Sequence, residues 1–82
     1  MSLFAEKAFE IISTQKVINA NQKWFSLTQE TIKHRFIPIP NPVEMIRMRN
    51  VLKMNEDLLR KSEVLFEEFE KMFDPEYSDI NS

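Results

Sequence analysis

The 82-residue chain contains no cysteine, no glycine and only one histidine, His34. The first absence removes disulfides, thiolate metal sites and thiol nucleophiles together. The second removes phosphate-cradling loops, dinucleotide-binding turns and type I′ hairpins, all of which need positive φ or close backbone approach. One imidazole is too few for a carboxylate–histidine metal cluster, and no cofactor is expected. Apolar runs are only a few residues long, so no transmembrane segment is expected either. The first residues lack a charged stretch followed by an apolar core, and the expectation is a soluble, cytoplasmic protein.

What remains is an ordinary globular balance, 43% hydrophobic and 29% charged, too apolar for a disordered chain. One small domain is expected over residues 1–82. A domain of this size buries only about 60% of its unfolded surface and commonly needs a disulfide, a metal or a second subunit. With the first two excluded, association is the stabiliser left.

Proline is concentrated in one place, with Pro75 alone standing apart as the expected end of helix 2. Pro38, Pro40 and Pro42 alternate after Phe36, and each biases its predecessor away from helix. The expected order is helix 1 over about 3–35, an extended connector over 36–41, helix 2 over about 42–73 and a flexible tail over 75–82. Asn41 reads as N-cap, Pro42 as first helical residue and Glu44 as the return partner of a capping box. Ser2 can cap helix 1, with Glu6 near the positive end of its dipole. The middle of helix 1, residues 13–21, has weak helix formers, and a break there is the competing reading.

Both helices carry seven-residue columns. Phe4, Ile11, Ile18, Phe25 and Ile32 form one in helix 1. Helix 2 has two, Met45, Leu52, Leu59, Phe66, Phe73 and Val51, Leu58, Leu65, Met72. A sustained period of 3.5 keeps an apolar seam against a partner helix, and these residues are taken as that seam. Phe9, Ile12, Trp24 and Leu27, with Ile46, Met54 and Phe69, lie beside the columns and would stay wet in a lone hairpin. They are assigned to a partner interface. The expected fold is all-α: two long amphipathic helices in a hairpin, completed as a homodimeric four-helix bundle.

Little in the chain points to catalysis. Glu30 and His34 share a helical face at i,i+4, which reads as a solvated helix end rather than a metal site. Gln15, Gln22 and Gln29 form a polar column, and Asn55 and Ser62 interrupt the seam of helix 2. Such residues either fix register or face water. Charge is segregated: residues 33–61 hold seven Lys/Arg against three acids, and residues 62–82 hold seven acids against one lysine. Lys33, Arg35, Arg47, Arg49 and Lys53 make the connector end basic. That end suits antiparallel self-association with an acidic end, or phosphate contact. Nucleic acid is disfavoured by the net charge of −2 and the lack of a recognised motif. The connector is expected to hold the helices apart, with Phe36, Ile37 and Ile39 capping the core.

The run from Phe4 to Ile12, the Asn/Gln/Thr-rich stretch Asn19 to Gln29, and Asn41 to Met45 opening a second long helix together resemble phasins. These are helical proteins that coat polyhydroxyalkanoate granules. The resemblance implies an oligomeric coat protein with an apolar face on a polymer surface. The residues themselves favour a non-catalytic self-association module that binds a protein partner, such as a small adaptor, assembly factor, chaperone or inhibitor. A phasin-like coat and a nucleic-acid-binding regulator are the alternatives.

Overall fold

The computed structural model describes residues 2–73 of the protein. Helix α1 runs Leu3–Lys33 and helix α2 runs Pro42–Phe73, with no strand among the described residues. Both ends of the seam show the helices to be antiparallel: Phe4 packs against Phe69 with the rings tilted, and Arg35 pairs with Glu44. The molecule measures 61 × 23 × 16 Å, one layer of two helices.

Local chemistry starts each helix where capping rules place it. Ser2 accepts the Ala5 N–H at 3.1 Å. At α2, Asn41 Oδ1 accepts the Glu44 N–H at 2.8 Å while Glu44 Oε1 accepts the Asn41 N–H at 3.0 Å. This reciprocal capping box satisfies two backbone donors that a helix start otherwise leaves bare. Helix α1 is unbroken for 31 residues despite its weak middle. Tertiary packing overrides propensity there, because that stretch contains Thr14 and Ile18, both buried in the seam. It ends at Lys33, two residues before the expected boundary. Arg35 leaves the helix, its N–H bonded to the Ile32 carbonyl at 3.1 Å and its side chain turned to Glu44.

The core is thin. Ile18 (1% exposed), Ile32 and Leu65 are its buried hydrophobic residues, and Thr14 and Asn55 are buried polar ones. Burying a large aliphatic side chain stabilises by roughly 1.5–3 kcal/mol, so the three supply only a modest driving force.

Candidate interaction faces

The seam is built from two columns on each helix. On α1, Phe4, Ile11, Ile18, Phe25 and Ile32 alternate with Lys7, Thr14, Asn21 and Thr28, and Arg35 continues the second spacing just beyond the helix end. On α2, Val51, Leu58 and Leu65 continue a column begun by Glu44, and alternate with Met48, Asn55, Ser62 and Phe69. Apart from the ends of these columns, all are buried or half-buried. Phe4 is partly exposed at the open end, where its ring lies 4.9 Å from Phe69. Met72 is also partly exposed.

The second column of α1 is polar throughout, which the sequence reading missed. Its members at positions 7, 21 and 35 each cross to α2. Lys7 pairs with Glu68, Asn21 donates to Asn55 Oδ1 at 2.8 Å, and Arg35 forms a two-pronged pair with Glu44. Thr14 and Thr28, between them, donate to the carbonyls of Glu10 and Trp24, both at 2.8 Å. Back-bonding of this kind satisfies a hydroxyl that would otherwise lose its water. Among the described residues no buried side-chain nitrogen or oxygen lacks a partner. The three rungs stand about 21 Å apart along the axis and differ in chemistry, so they define one register. The signal was available as a seven-residue polar repeat three residues out of phase with the apolar one.

Charge reinforces the ends. The Arg35 guanidinium, and then the Asn41 N–H, hold the Glu44 carboxyl well below its ordinary 4.5, at about 2. Hydrogen bonding to Glu68 raises Lys7 above its usual range, and Glu44 does the same to Arg35.

Several expected positions are corrected. Met45, Leu52, Leu59 and Phe66 do not enter the hairpin seam; they stand outside it, between 47% and 53% exposed. Consecutive residues point about 100° apart on a helix, so adjacent columns cannot share one narrow contact; seam columns must be three or four residues apart. The side chain of Phe73 and the tail over 75–82 lie outside the described residues. Phe69, assigned to the partner interface, instead packs in the seam against Phe4. Phe9, Ile12, Trp24, Leu27, Ile46 and Met54 are exposed but scattered around both helices rather than gathered on one face. Gln15, Gln22 and Gln29 flank the seam and face water. Phe36, Ile37 and Ile39 do not cap the core: Phe36 is fully exposed and the other two are mostly so. The connector is not extended throughout as expected: it bends at Arg35, Phe36, Ile37 and Ile39, and the apolar side chains among these point away from the seam into solvent.

Of the basic residues, Lys33, Arg47, Arg49 and Lys53 are exposed and Arg35 is engaged by Glu44. His34 Nε2 lies 3.5 Å from Glu30 at the surface. No group of three His, Asp or Glu able to hold a metal occurs among the described residues. No described helix is long and apolar enough to cross a membrane.

Two grooves lie on opposite sides of the seam. One, of about 500 Å³, is lined by Ile11, Gln15, Leu59, Ser62 and Phe66 together with the carboxylates of Glu63, Glu67 and Glu70. The other, of about 300 Å³, is lined by Trp24, Leu27, Thr28, Thr31, Glu44 and Arg47. Both are mixed in character; the first side also carries the outer apolar column of α2.

The fold is thus an antiparallel two-helix hairpin with a polar-laddered seam and unpartnered apolar flanks. No protein-family model, curated protein or solved structure matches the chain.

Proposed function

We propose that the protein is a non-catalytic self-association module, two hairpins pairing into a four-helix bundle whose remaining surface serves a protein partner. The observation that carries this reading is the column Met45, Leu52, Leu59 and Phe66, uninterrupted by charge and half-exposed along three heptads. An exposed apolar stripe of that length marks an association site in a soluble fold. Helix α1 contributes only Ala8, Gln15, Gln22 and Gln29 to its own flank on that side, so the stripe meets no like-charge barrier there.

The charge distribution selects the orientation. Arg47, Arg49 and Lys53 lie near the connector, whereas Glu63, Glu67, Glu68 and Glu70 lie near the open end. Parallel pairing would set the acidic ends side by side. Antiparallel pairing that matches Leu52 with Leu59 also sets Met45 against Phe66 and brings Arg49 near Glu63 of the second copy. Complementary placement of this kind fixes register and partner choice more than it adds affinity. The seam polar groups bond across it or to their own helix rather than converging in a cavity, which supports a binding role over a catalytic one.

Sedimentation equilibrium tests the proposal. The expected result is a species of twice the 9.8 kDa chain mass, reduced to one chain by Leu52→Glu with helicity retained. A folded wild-type monomer across the full concentration range refutes it. Gain of helix only on contact with an apolar polymer surface would favour the coat reading instead.

A further inference from the structure

At one end of the long axis, the connector presents the most exposed apolar surface of the described chain. Phe36 is fully exposed, and Ile37, Ile39 and Val43 are each more than half exposed. Pairing through the lateral column at Met45 does not reach this tip. It is stiff, because three alternating prolines set its backbone, and it contains no residue at positive φ. It is also poor in backbone donors. Pro38, Pro40 and Pro42 have no N–H, so fewer donors lose water when the segment leaves it.

Behind the tip sits a ring of cations. Lys33 closes α1, and Arg47 and Arg49 lie within about two turns of the start of α2, all three exposed. Two turns of helix correspond to about 11 Å, close to the depth that separates an inserted apolar group from lipid headgroups. The opposite end, with Glu63, Glu67, Glu68 and Glu70, would be repelled by the same surface.

We propose that the connector tip docks end-on onto an anionic lipid bilayer, Phe36, Ile37 and Ile39 entering the interface and the cation ring meeting the headgroups. Apolar insertion and polybasic attraction are each weak alone and hold when combined. This differs from a coat lying flat, which would use the helix flanks, and it does not depend on the dimer.

The test is co-sedimentation of the full chain with vesicles of phosphatidylcholine alone or mixed with phosphatidylglycerol. Binding to the mixed vesicles is expected, falling about tenfold or more on neutral vesicles and in high salt. The variant Phe36→Ser/Ile37→Ser/Ile39→Ser alters exposed side chains only, keeps its helicity by circular dichroism, and should also bind about tenfold less. Lys33→Glu/Arg47→Glu should lose the preference for anionic lipid. Absence of binding to mixed vesicles overturns the proposal, as does unchanged binding by the triple-serine variant. A change in that variant's solution mass without lipid would show that a second copy covers the tip, and would overturn it too. Leu52→Glu should still bind vesicles, so loss of self-association and loss of lipid binding are read separately.

Discussion

Helix α2 carries two apolar columns one residue apart, and water treats them differently. Val51, Leu58 and Leu65 face α1, whereas Met45, Leu52, Leu59 and Phe66 remain about half exposed. Hydrophobicity does not separate them, since the outer column is at least as apolar. Asn55 and Ser62 adjoin both columns, four residues after Val51 and Leu58 and three after Leu52 and Leu59; the outer column's other neighbours are the charged Arg49, Glu56, Glu63 and Glu70. The shared column of Asn55 and Ser62 faces α1, and the hairpin takes the stripe on one side of it and leaves the other on its surface.

The strongest way to break this comparison is to place a charge in each column. Leu65→Asp buries an unpaired carboxylate, and a loss of about 3 kcal/mol or more, with collapse of the helical circular dichroism signal, is expected. Leu59→Asp should leave helicity intact and lower only the solution mass. Equal unfolding by both would mean that the columns are not distinct. Truncation gives a milder contrast. Ile18→Ala should cost about 2–4 kcal/mol in urea denaturation, whereas exposed Ile12→Ala should change the hairpin by less than about 1 kcal/mol.

Next in size is the central rung. Asn55→Ala removes the oxygen that accepts from Asn21 and the amide that donates to the Ile18 carbonyl, leaving Asn21 only the weaker Met54 sulfur, and should cost about 1–2 kcal/mol. Replacing both by leucine should recover that stability but permit slipped alignments, visible as extra amide resonances; a single sharp set would deny the rung its register role.

The smallest effect is a pH dependence. Glu44 is depressed to about 2 when folded against an ordinary 4.5. Its contribution is therefore full above about pH 4.5 and lost as the pH falls towards 2. Acid titration of Glu44→Gln should lack that part of the transition. Because this pair is solvated, the effect should shrink in high salt.

The helix count, the connector and both N-caps could be read from the sequence because proline, serine and asparagine act locally. The choice of seam could not, since it depends on how two columns meet across space. Val51 and Leu52 have the same periodicity and share Asn55 as a neighbour, so nothing local to α2 distinguishes them. The exposed tip was misread for a related reason. Apolar residues ordinarily turn inward, but a connector lying beyond both helix ends has no core within reach.

The Glu44 carboxylate also bears on the order of folding. It caps α2 and holds Arg35, so starting the second helix and fixing the turn are one event. That contact spans nine residues, whereas Lys7 to Glu68 spans 61. Short loops close at the lower entropic cost, so the hairpin should zip from connector to open end. Stopped-flow refolding should then be slowed by Arg35→Ala, while Lys7→Ala should only hasten unfolding. During synthesis the first helix would wait, undocked, until residue 44 leaves the ribosome.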